Sequence, residues 1–108
     1  MTMNPVPATQ VPQRDTTFGL RESAVSGAYT FSEDNRELFY ICPCGCGEHL
    51  SLPVKIGPWV QGASPCWGWD GNRDAPTLTP SIRRLNGCRY HGHLQAGVWT
   101  FTSDSGRR

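Results

Sequence analysis

Long apolar runs are missing from this chain. None approaches the ~18 residues that a membrane-spanning helix requires, so no membrane partner is expected. Helical periodicity is missing too, and the nearest candidate, residues 16–25, is short and weakly patterned. Charge of one sign is also lacking: 10 Lys+Arg stand against 9 Asp+Glu, which gives no global basic field of the kind that points to nucleic acid. Residues 1–11 hold no apolar core like that of a signal peptide and include Pro5 and Pro7. The expected compartment is therefore the cytoplasm, where thiols stay reduced. Five cysteines make an odd number, which disfavours a disulfide framework and favours metal ligands.

What the chain does have is 12 glycines and 9 prolines in 108 residues, a composition suited to short strands and turns. The expectation is a mostly β fold: a small metal-stapled domain of hairpins over residues 17–103, with a flexible arm at 1–16 and a frayed tail at 104–108. Residues 28–31 and 37–41 read as strands around the polar turn 33–36, and the second runs directly into Cys42. Residues 49–54 alternate, with Leu50, Leu52 and Val54 on one face. Residues 66–70 read as a further strand, and 77–79, between Pro76 and Pro80, as a short edge segment. Asn86-Gly87 is a turn signal leading into Cys88. Residues 90–95 and 98–102, around Ala96-Gly97, read as a closing hairpin.

The chemistry concentrates in Cys42-Pro43-Cys44-Gly45-Cys46-Gly47 and, forty residues on, in Cys88-Arg89-Tyr90-His91. Zinc takes four ligands in a tetrahedron from Cys thiolates and neutral His. A C-x-x-H gap lets both side chains reach one ion from a single turn, and a glycine-relaxed Cys44-Gly45-Cys46 pair can complete the site. The first choice of ligands is Cys44, Cys46, Cys88 and His91, with Cys42 the substitute, then His93 and His49. Cys66, between Pro65 and Trp67, reads as a packed side chain. The two-loop pattern partly matches Rieske iron–sulfur centres, but their first loop supplies C-x-H where this chain has C-x-C, so zinc is preferred to a cluster. No catalytic residue stands out; Glu48, beside the cysteines, is the one general-base candidate.

With Pro76-Thr77-Leu78-Thr79-Pro80-Ser81-Ile82 and Gly97-Val98-Trp99 added to these cysteine motifs, the sequence resembles a family of small bacterial and phage proteins filed as a domain of unknown function. Some phage relatives carry the label "ammonia monooxygenase", and some bacterial relatives sit beside ubiquitin-like conjugation genes. The resemblance covers roughly Phe39 to Phe101 and implies a shared metal-bound β fold without an established activity. A phage-encoded member would work in the host cytoplasm or the virion. Thr77, Thr79 and Ser81 would lie on a binding surface in a functional reading of the proline-bracketed segment; the preferred reading is structural.

Three functional classes compete. The leading one is a non-enzymatic structural-zinc module that binds another macromolecule, a protein, through tryptophans among Trp59, Trp67, Trp69 and Trp99. The second is a nucleic-acid-binding module using Arg83, Arg84, Arg89, Arg107 and Arg108. The third is a metal or redox enzyme with a Rieske-like site.

Overall fold

The computed structural model describes residues 4–11, 25–60, 66–85 and 87–105. All their regular structure is strand, as the glycine- and proline-rich composition implies, and among them no helix is long and apolar enough to cross a membrane. Among the described residues, eleven short strands are arranged in three sheets.

The largest sheet runs in the order β2 (Thr9–Gln10), β3 (Ala28–Phe31), β4 (Glu37–Ile41), β5 (His49–Ile56), β6 (Trp67–Trp69), β7 (Leu78–Thr79). β3 and β4 form the expected hairpin, with Tyr29 opposite Tyr40 and Phe31 opposite Leu38. β4 and β5 pair from Ile41–His49 to Glu37–Pro53, so the cysteine-rich turn closes a continuous hairpin. β5 alternates as its sequence requires: Val54 is buried and Leu50 and Leu52 are half-buried, while His49, Ser51 and Pro53 face out.

A three-stranded sheet pairs β1 (Val6–Pro7) and β10 (Leu94–Gln95) with opposite edges of β11 (Val98–Trp99). A third sheet is the two-stranded hairpin of β8 (Ile82–Arg83) and β9 (His91–Gly92). The amino-terminal segment differs from the expected arm over its described part. Val6 and Pro7 pair with β11, Thr9 and Gln10 run parallel to β3, and Val11 is buried, so residues 4–11 tie two sheets together. The rest of that arm and all but the end of the weak helical candidate at 16–25 lie outside the described residues.

One aromatic core serves the sheets. Trp69, Trp99, Tyr29, Tyr40, Tyr90 and Phe31 are all buried. Each is worth roughly 1.5–3 kcal/mol of transfer from water, which is how so few aliphatic residues suffice. Phe31 stacks on Trp69 with centroids 3.8 Å apart, and the Arg73 guanidinium lies 5.8 and 5.9 Å from the two rings. The Trp99 indole N–H donates to the Gly27 carbonyl at 2.9 Å, so its one polar atom is satisfied inside the core.

Candidate functional site

Two hairpin turns meet at one end of β4. In the first, the Cys42 N–H donates to the Glu48 carbonyl at 2.9 Å, and the chain reverses through Gly45 at φ +94°, a conformation that glycine takes without strain. In the second, the Arg84 N–H donates to the Tyr90 carbonyl at 2.8 Å and closes the β8–β9 turn with Cys88 at its tip. The sulfurs of Cys42, Cys44, Cys46 and Cys88 all lie within 4.8 Å of one another. Cys42 Sγ is 3.3 Å from that of Cys44 and 3.4 Å from that of Cys88. These separations are far beyond a disulfide bond and bracket the about 3.8 Å expected between thiolates on one tetrahedral ion with bonds near 2.3 Å.

The electrostatics fit a cation. Burial pushes the Cys42 thiol up and the Cys44 thiol to about 11. Burial also acts upward on Cys88, but hydrogen bonds from Cys44 and Cys42 and from the Tyr90 N–H outweigh it and bring that thiol down to about 7. Arg84 donates to Cys88 Sγ at 3.0 Å and to Glu48 at 2.6 Å, placing positive charge against the sulfur group. Four crowded thiols resist joint ionisation until a metal neutralises them. Three of the four preferred ligands, Cys44, Cys46 and Cys88, are thus brought together with the substitute, Cys42.

His91 is elsewhere. It is not in the thiol group, and neither are His93, the exposed His49 that opens β5, or the half-buried Cys66. Two residues separate Cys88 from His91, but β9 begins at His91, and its imidazole meets Asp104 and Ser81 in place of the thiols. Without a histidine among the thiols, the partial Rieske match loses its second loop. Glu48, the expected general-base candidate, is held by Arg84.

The His91 ring instead joins two side chains. Its Nδ1 is 2.7 Å from Asp104 Oδ1, and its Nε2 is 3.2 Å from Ser81 Oγ. Three extended segments lying side by side produce this alignment. β9 pairs with β8 on one flank, setting Arg83 opposite His91 and leaving Ser81 just before the strand. On the other flank, Thr100 and Thr102 donate their N–H groups to the His93 and His91 carbonyls at 2.8 and 2.9 Å. The chain then turns, and the His91 N–H donates to Ser105 Oγ at 3.0 Å. Asp104 and Ser105, expected in a frayed tail, are therefore fixed by the strand that carries His91.

Gly92 permits this close approach, because a Cβ there would sit 1.8 Å from the Thr100 carbonyl oxygen. Behind the row, the Tyr90 hydroxyl donates to the Thr100 carbonyl at 2.7 Å and its ring packs edge-on against Phe101. Ser81 is held through its backbone, with the Trp67 indole donating to its carbonyl at 3.3 Å.

Charge sets the tautomer. Hydrogen bonds from Thr102 and then His91, together with Arg83, hold the Asp104 carboxyl well below the usual carboxylate range. An ionised carboxylate only accepts, so the imidazole proton belongs on Nδ1, leaving the Nε2 lone pair facing the Ser81 hydroxyl. Arg83 Nη2 is 3.4 Å from His91 Nδ1 but 2.5 Å from Asp104 Oδ2, and its hydrogen bond belongs to the carboxylate.

A serine, a histidine and a carboxylate joined in this order form the constellation of serine hydrolases, here on a small β domain beside four clustered thiols. Residues 15–102 match the family described as bacterial ubiquitination-like system serine protease (BubE), and the chain belongs to that family. The resemblance to relatives beside ubiquitin-like genes pointed to the same system. No curated protein and no solved structure matches the chain.

Sequence reading missed this row. Ser81 lies in a proline-bracketed segment that reads as structural, the C-x-x-H spacing points His91 to the metal, and Asp104 falls in the expected tail. The available signal was that Cys88 with three other cysteines fills a tetrahedron, which frees the histidine.

Proposed function

We propose that this chain is a serine protease acting on a protein of a bacterial ubiquitin-like system, and that its four cysteines hold a structural zinc ion. The observation that carries this reading is the Ser81–His91–Asp104 row, with contacts of 3.2 and 2.7 Å. The family description supports the choice of a peptide-bond substrate.

In this mechanism Ser81 Oγ attacks the scissile carbonyl carbon while His91 Nε2 takes the hydroxyl proton. The imidazolium is stabilised by Asp104, which stays ionised. The carbon–nitrogen bond breaks as Nε2 returns the proton to the departing amine, leaving an ester on Ser81. Water, deprotonated by the same nitrogen, attacks the ester; the carboxylic acid leaves and Oγ regains its proton.

The metal contributes to structure: when bound it supplies folding free energy, on the order of 10 kcal/mol in small zinc domains, and four thiolates leave no position for water. Cys88 then fixes the turn from which β9 and His91 extend. This reading departs from the non-enzymatic protein-binding module expected from the sequence: the protein it engages is a substrate. Two arginines of the nucleic-acid reading are otherwise engaged, Arg83 with Asp104 and Arg84 with Glu48.

The direct test is covalent labelling with a fluorophosphonate probe and mass spectrometry. Label on Ser81 in the wild type, absent from a folded Ser81→Ala variant, is the expected result. A wild-type protein that stays unlabelled, or equal labelling of Ser81→Ala, would overturn the assignment.

A further inference from the structure

Beside His91 lies a cavity of about 200 Å³, lined by Arg83, Arg84, Leu85, Arg89, His91 and Asp104. Three of its six walls are guanidiniums and one is a carboxylate. Two of the cations are spoken for: Arg83 lies 2.5 Å from Asp104, and Arg84 lies 2.6 Å from Glu48, outside the cavity lining. Arg89 has no ion pair or hydrogen bond among the described residues and is exposed at the turn after Cys88. Arg84 is shared between Glu48 and Cys88 Sγ, so of the three guanidiniums lining the cavity that of Arg89 is the one left without a partner among the described residues. Its fork geometry suits two-point contact with a carboxylate.

We infer that this cavity is a specificity subsite that binds a substrate carboxylate next to the scissile bond, with Arg89 as its principal contact. The inference rests on the proposed protease reading, because His91 is shared between the cavity and the reacting row. The His91 ring borders the cavity and its Nε2 lies 3.2 Å from Ser81 Oγ, so a group seated there lies on the flank of the reacting row. The carboxylate can come from an Asp or Glu side chain or from a free carboxyl terminus. Leu85, 73 % exposed at the rim, offers an apolar contact to the stem that carries it.

The test uses the full chain and internally quenched peptides in a positional scan, each carrying Glu, Gln or Lys in turn around the scissile bond. A matched pair ends in a free carboxylate or an amide. At one position Glu is expected to exceed Gln in kcat/KM by about tenfold or more, the scale of one well-formed charge pair. If the terminus is the ligand, the free acid exceeds the amide instead. Arg89→Glu should reverse the preference from Glu to Lys, and Arg89→Lys should keep part of it.

Peptides cleaved with no acidic preference at any position or terminus would overturn the subsite while leaving the protease reading intact, as would an Arg89→Glu variant of unchanged selectivity. Failure of Ser81 to react with the fluorophosphonate, with no peptide cleaved, would remove the protease reading and the subsite with it. The wild-type scan decides the matter even if the Arg89 variants do not fold.

Discussion

Cys88 and His91 are separated by two residues and serve different sites: the Cys88 sulfur lies 3.4 Å from that of Cys42, while the His91 ring spans Ser81 and Asp104. The two roles separate on substitution. His91→Ala should keep one bound zinc per chain and lose fluorophosphonate labelling. Cys42→Ser should lose most of the metal and much of the fold, because an unfilled tetrahedron forfeits a large part of the folding free energy, on the order of 10 kcal/mol in small zinc domains, that the proposed zinc would supply. Elemental analysis and thermal melting of both variants check this. Loss of zinc on His91→Ala would return the histidine to the metal.

Asp104 acts on the tautomer. Asp104→Asn keeps the shape but offers an amide that can donate to Nδ1, placing the imidazole proton on Nε2, where it cannot accept from Ser81. A loss of about 10⁴-fold in kcat, with KM little changed, is the expected outcome. Steady-state kinetics on any cleaved peptide measures it.

The same carboxylate makes stability depend on pH. Thr102, His91 and Arg83 hold its pKa below the ordinary value. Its contribution is therefore fully present above about pH 4, the unfolded carboxylate value, and drains away as pH falls toward the folded one. The wild type should melt above Asp104→Asn near neutrality, and the difference should narrow from about pH 4 downward. Melts between about pH 2 and pH 8 test the sign; a gap that stays constant across that range contradicts it.

The sheet was legible where side chains alternate or turns announce themselves. Residues 28–31 and 37–41 are strands at the expected bounds, and His49 opens β5 as the alternation of Leu50, Leu52 and Val54 required. The thiol group was legible because C-x-C-x-C and a remote cysteine carry metal chemistry on their face. The Ser81–His91–Asp104 row was not, because its members come from three segments with no common motif. Their alignment depends on a lateral pairing, β8 to β9 to residues 100–102, that no local pattern encodes. The anchoring of residues 6–10 was hidden for a similar reason: Val6 and Pro7 find their partners in Val98 and Trp99, at the far end of the chain.

In the proposed mechanism Trp67 positions the nucleophile from behind. Its indole N–H is the donor to the Ser81 carbonyl, while its ring packs against the core. Trp67→Phe keeps most of the ring and removes the donor. A net hydrogen bond of about 1 kcal/mol predicts a small drop in melting temperature. The effect on kcat should be larger than that on KM, because the Ser81 main chain sets the line of attack. Equal losses in binding and turnover, or none, would show that the indole only fills space.

Gly92 is where fold and site are hardest to separate. Its missing side chain lets β9 approach the Thr100 carbonyl, and that approach brings Thr102 and Asp104 alongside His91. Alanine at this position would set Cβ 1.8 Å from the carbonyl oxygen, a backbone atom that no side-chain rotation can move. The chain must part from β9 or unfold. Gly92→Ala should therefore cost about 3 kcal/mol or more, at the upper end of overpacking substitutions. In whatever fraction stays folded, labelling of Ser81 should fall more than zinc content, since three of the thiols sit in the turn after β4 and Cys88 is tied to β8 through the Arg84–Tyr90 hydrogen bond, away from residues 100–102. Comparing the two in the same folded sample makes the distinction: metal lost in step with labelling would mean that the thiol group and the catalytic row collapse as one unit.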